Sequence, residues 1–174
     1  RSGTVTNSVS FPHASTVRLS FPARGAKAPP CDVFWYDGGM RPQTPDALIA
    51  AGKQMPKQGV MFVGDEGVIM AGYFNENPHI ILNKPGRQAA DSPKAPDVKI
   101  TSVSDEWIGA FGGGKQSRGS FQNAQHVAEA ICLGNVAIRL NTRVEWDSAS
   151  MKITNIPSAN KYFRREEYRK GWEL

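Results

Sequence analysis

The 174 residues carry 21 Lys+Arg against 16 Asp+Glu, a net charge of +5, with 40% hydrophobic and 21% charged positions. That balance is ordinary for a globular protein, and the length suits one domain, residues 1–174, with a real core. No run nears the roughly 18–20 apolar residues of a membrane span, so no membrane partner is expected. The basic excess is scattered, and even the densest stretch, "KYFRREEYRKGWEL", interleaves its cations with Glu166, Glu167 and Glu173. Interleaved signs mark a solvated face rather than a nucleic-acid stripe. The chain opens on Arg1 rather than Met, and its amino end reads as mid-domain sequence, so a processed or excised piece is expected. Cys31 and Cys132 lie far apart with no Cys-x-x-Cys, and are expected to pack as small hydrophobes.

In chain order, the first third reads as strands. "TVTNSVSF" alternates, and "STVRLSFPA" alternates better, with Val17, Leu19 and Phe21 on one face and Arg18 and Ser20 on the other. "ARGAKAPP" is a connection, and "CDVFWYDGG" is the next strand. "GVMFVG" and "GVIMAGYF" flank Asp65-Glu66 as a hairpin, and "HIILN" adds a short strand. Between Lys84 and Pro96 the composition shifts to Pro, Gly, Ala, Ser and Lys, a surface excursion. "SDEWIGAF" then starts a helix with Ser104 as the expected N-cap and acids in the first turn.

"NAQHVAEAICLGNVAIRL" is the strongest helical pattern: Val127, Ile131, Gly134 and Ile138 form one stripe, widened by Ala130, Leu133 and Ala137. Such a stripe is expected against a sheet. Gly134 costs roughly 1 kcal/mol relative to Ala in mid-helix, which points to close backbone packing there. "TRVEWDSASMKITNI" is expected back at the sheet edge, and the tail is expected to close on Trp172. Strands first and helices later predict an α+β fold: an open, mostly antiparallel sheet with helices packed on one face.

Three stretches invite a chemical reading. "GAFGGGKQ" nearly spells a phosphate-binding loop, but Gln116 stands where a magnesium-holding Ser or Thr is required, and a helix precedes it instead of a strand. The glycines read better as a helix C-cap and flexible loop. No Gly-x-Gly-x-x-Gly follows a strand, and His13, His79 and His126 are solitary, without a metal-ligand spacing. His126 and Glu129 lie i, i+3 on one helix and could line a pocket or form a rim pair on its half-exposed side. The strand end "WYDGG" is the third. Trp35 and Tyr36 offer flat faces with polar tips, Asp37 can accept from two hydroxyls, and Gly38-Gly39 permits close backbone approach. The alternative is a hairpin end whose aromatics fill the core and whose Asp caps the turn.

Several blocks, "FPARG", "WYDGGMRPQTPDAL", "GVMFVGDEGVIMAG", "EWIGAF", "AICLGNVAIRL", "EWDSASMKITN" and "YRKGWEL", closely resemble the C-terminal part of the Gfo/Idh/MocA oxidoreductases. That is the glucose–fructose oxidoreductase and inositol dehydrogenase family, and the likeness runs from about Ser15 to Leu174. None of the blocks is a catalytic signature. The resemblance implies a parent with an N-terminal Rossmann domain that binds NAD or NADP, a Glu-Lys-Pro lysine and an acid/base histidine, all upstream of this chain. His13 does not take that histidine's role. The chain itself would be the substrate-pocket and assembly domain, binding no cofactor alone and partnered by the Rossmann domain, by further copies and by a carbohydrate-type small molecule. In family terms the "WYDGG" end lies near the substrate cleft, so the expected substrate-binding set is Trp35, Tyr36, Asp37, Arg41, His126 and Glu129. A stand-alone carbohydrate-binding or scaffold protein, and part of an NAD-dependent glycosidase or lyase, are the alternatives. The parent would be bacterial, periplasmic or cytoplasmic.

Overall fold

In chain order the elements are β1 (Ser2–Gly3), β2 (Ser15–Phe21), β3 (Cys31–Tyr36), α1 (Asp46–Ala50), β4 (Val60–Val63), β5 (Gly67–Ala71), β6 (His79–Leu82), α2 (Val103–Phe111), α3 (Phe121–Leu140), β7 (Trp146–Asp147) and β8 (Lys152–Ile153), followed by a 3-10 helix, Pro157–Phe163. They come from a computed structural model of the chain that describes residues 2–3, 10–84, 102–163 and 167–172. The fold is α+β, as the order of patterns predicts: every sheet is antiparallel and open. Among the described residues there are three sheets instead of one, ordered β1-β2-β3, β4-β5-β6 and β7-β8. The chain divides into two compact units, one of residues 1–40 and 101–174 and the other of residues 41–100. Among the described residues no helix is long and apolar enough to cross a membrane.

In the first unit β2 and β3 pair from Thr16↔Tyr36 to Phe21↔Cys31. Because side chains alternate along a strand, Val17, Leu19, Val33 and Trp35 share one face, and Arg18, Asp32, Phe34 and Tyr36 the other. The first face meets α3, where a Cβ on Gly134 would lie 3.4 Å from a Val17 methyl carbon. Close backbone packing is thus present at this glycine. The expected stripe divides, however: Gly134 is buried, whereas Val127 and Ile131 are 62% and 59% exposed. The buried side of α3 is carried by Val136, flanked by Leu133 and Leu140, and it packs on Ile153, Ala159, Ile156 and Phe163. Burying an aliphatic side chain fully is worth roughly 1.5–3 kcal/mol, so this cluster anchors the carboxyl-terminal elements.

Helix α3 starts and stops for local reasons. Ser120 accepts from the Asn123 amide as N-cap, and Asn141 ends the helix in the left-handed region with φ 55°. Helix α2 begins two residues ahead of expectation, with Ser102 as N-cap, which keeps Asp105 and Glu106 in the first turn. Among the described residues "EWDSASMKITN" does not rejoin the larger sheet: β7 and β8 pair with each other, Trp146↔Ile153 and Asp147↔Lys152. Asn160 replaces a third strand, accepting from the Ile153 amide (2.8 Å) and donating to the Ile153 carbonyl (2.9 Å). Cys31 and Cys132 are both free and exposed instead of packed, and Trp172 is 70% exposed. The alternating run at residues 4–9, the excursion after Lys84 and positions 164–166 of the basic carboxyl-terminal stretch lie outside the described residues.

The second unit contains the predicted hairpin. β4 and β5 pair from Val60↔Ala71 to Val63↔Val68 around Asp65-Glu66, and β6 adds to β5. Val68, Met70 and Ile81 are buried against Ala47 and Leu48 of α1. On the opposite face Phe62, Ile69 and Ile80 are cross-strand neighbours, and all three are exposed.

Candidate functional site

The strand end at Trp35–Gly39 is built around one carboxylate. Asp37 Oδ1 accepts from the Ser15 amide (2.6 Å), and the Ser15 hydroxyl reaches both carboxylate oxygens at 3.0 Å. The Trp35 indole N–H adds a bond to Oδ2 at 3.2 Å. Ser15 is buried, so Asp37 supplies the acceptors that a buried amide and hydroxyl require. The chain then turns through Met40, whose amide donates to the Asp37 carbonyl (3.0 Å). Gly38 sits at φ 61°, and a Cβ there would lie 2.1 Å from the His13 carbonyl oxygen, so only glycine fits. Trp35 is 56% exposed on the face shared with Asp37, while Tyr36 belongs to the other face.

That other face has its own electrostatics. Arg18 binds Asp32 through two nitrogens at 3.1 and 2.8 Å, and Ser20 donates to the same carboxylate at 2.6 Å. The Arg18 bonds, with that of Ser20, hold the Asp32 carboxyl below its usual range. The Arg18 guanidinium also lies 5.7 Å from the Phe34 ring centre, and Phe34 stacks with Tyr36 at 6.3 Å.

His126 and Glu129 do meet on α3, at 3.8 Å. His126 is largely exposed, whereas Glu129 is tucked in and engaged elsewhere: the Trp146 indole and the Ser148 hydroxyl (2.6 Å) both donate to its Oε1. The Ser148 bond, helped by Trp146 and the nearby imidazole, lowers the Glu129 pKa against the opposing effect of burial. Glu129 thereby joins α3 to the β7–β8 ribbon. Arg41 is an exposed residue of the second unit. Within the sequence-predicted set, Trp35 bonds Asp37, Tyr36 lies on the opposite face of the strand, and His126 pairs with Glu129 on α3. Among the described residues no three His, Cys, Asp or Glu side chains gather as a metal site would require.

A concavity that sequence reasoning missed lies between the end of α2 and the start of α3. This open groove of about 420 Å³ is lined by Trp107, Phe111 and Phe121 together with Gln116, Ser117, Ser120 and Gln122. Trp107 and Phe111 are i, i+4 neighbours on one helix face, with ring centres 5.9 Å apart, and Phe121 meets Trp107 edge-on at 6.3 Å. The signal was present as an aromatic pair before "GGGKQSRGS" and a Phe after it, but only the path of the intervening loop brings them together. No family model matches the chain, and neither does any curated protein.

Proposed function

We propose that the chain is the substrate-pocket and assembly part of an NAD(P)-dependent sugar oxidoreductase of the Gfo/Idh/MocA type. It would turn over substrate only when joined to a dinucleotide-binding domain that brings the cofactor and the catalytic lysine and histidine. The structural observation that supports the assembly part of this reading is the exposed apolar face of the β4–β6 sheet, where Phe62, Ile69 and Ile80 stand in a cross-strand row. An open sheet with one buried face and one apolar exposed face requires a covering partner, and a second subunit supplies one. The exposed Trp35 supports a role at a sugar's edge, since an indole offers a stacking face to a ring. The sequence blocks that resemble the family support the reaction class.

The test is calorimetry with NAD(H) and NADP(H) on this chain and on the chain joined to the segment encoded directly before Arg1. The 174-residue chain is expected to take up neither cofactor, and the extended protein to bind one of them. Micromolar affinity in the short chain, or none in the extended one, would overturn the proposal.

A further inference from the structure

We propose that the groove between α2 and α3 binds a neutral, hydroxyl-rich ring: one residue of an uncharged saccharide. The inference does not rest on the family reading, because none of the groove residues belongs to the set that the resemblance implied. Its size falls within the roughly 300–1,000 Å³ of small-molecule clefts. Phe111 and Phe121 are 83% and 85% exposed, an unfavourable arrangement for two rings unless something covers them.

The polar lining selects the chemistry. The Gln116 and Gln122 side-chain amides bond each other at 3.1 Å, which uses one donor and one acceptor. Whichever way the amides are turned, the pair keeps donors and an acceptor for a ligand. The Trp107 indole N–H has no acceptor among the described residues. Buried Ser117 accepts from the Gly119 amide (3.2 Å), and its own proton finds no acceptor among them. Donors and acceptors mixed in this way match hydroxyl groups, which serve as both. No ionised side chain lines the groove. The nearby Arg118 and Glu106 are bound to each other at 2.5 Å, so a phosphate or carboxylate would meet no counter-charge from them. Ring angles decide against a flat heterocycle. Trp107 lies 48° from Phe111 and 82° from Phe121, which leaves no parallel slot for a base but does offer faces to the C–H edges of a puckered sugar.

The experiment labels the tryptophans of the 174-residue chain with fluorine, assigns Trp107 through Trp107→Phe, and titrates with maltotetraose, cellotetraose and xylotetraose. A saturable shift of the Trp107 resonance with at least one of them is expected. Phe111→Ala and Phe121→Ala, both at exposed positions, should each weaken that binding about threefold to tenfold with unchanged circular dichroism. No shift with any of the three sugars, or a shift that survives both alanine variants, would overturn the proposal. So would binding of the apolar dye anilinonaphthalene sulfonate that both variants abolish and no sugar displaces, which would make the groove an apolar docking surface.

Discussion

Asp37 concentrates more hydrogen bonds than any other acid at the strand end, and each of them ties β3 back to the start of β2 or to Trp35. Truncating it would leave the buried Ser15 amide and hydroxyl without their carboxylate, at a cost of roughly 1.5–3 kcal/mol for bonds to a charged group. Asp37→Ala is therefore expected to lower the urea midpoint by a corresponding amount, and Asp37→Asn by less, since an amide oxygen can still accept from Ser15. An unchanged midpoint would mean that the carboxylate contributes little to holding the strands and is available to a ligand. Gly38 allows no such comparison, because any side chain there meets the His13 backbone.

Between elements, Glu129 is the charged link from α3 to the β7–β8 ribbon. Its folded pKa lies below the ordinary value of 4.5, so the unfolded chain binds the proton more readily as pH falls. The stabilisation is thus complete above the ordinary carboxylate range and is lost as pH drops through the folded value. Glu129→Gln should narrow its stability gap from the native chain as pH is lowered from 6 through about 4.5, measured by urea unfolding at each pH. A gap independent of pH would disprove the link. Element type was legible in the sequence wherever a period was clean: the hairpin around Asp65-Glu66, and α3 to within two residues at its start. Element faces were less so. The Val127–Ile131 stripe has the right spacing for burial, yet the contacts of α3 follow Val136, whose partners Ile153 and Ala159 arrive later in the chain. Side-chain-to-backbone bonds such as those of Asn160 carry no periodic signal at all, and the groove depends on a loop path that no spacing encodes.

At the scale of the whole molecule, apolar surface remains exposed on both units, at Val33, Trp35 and Val127 in one and at Phe62, Ile69 and Ile80 in the other. The chain is expected to self-associate. Ile69→Lys, at the centre of the β4–β6 row and 43% exposed, should shift it toward the monomer in light scattering with an unchanged fold. A wild-type chain that is monomeric over a wide concentration range would count against the assembly reading. The division of the chain also has a consequence in time. Residues 41–100 form a unit whose ladders join neighbouring segments, and its last described strand ends at Leu82. Val17, by contrast, meets Gly134 only after more than about a hundred further residues have been made, a contact whose closure entropy is far larger than a hairpin's. During synthesis the inner unit can therefore settle first, while β2 and β3 wait at the ribosome with their α3-facing side bare. In that interval aggregation is expected to compete with folding, because the apolar side of β2 and β3 has not yet met its helix.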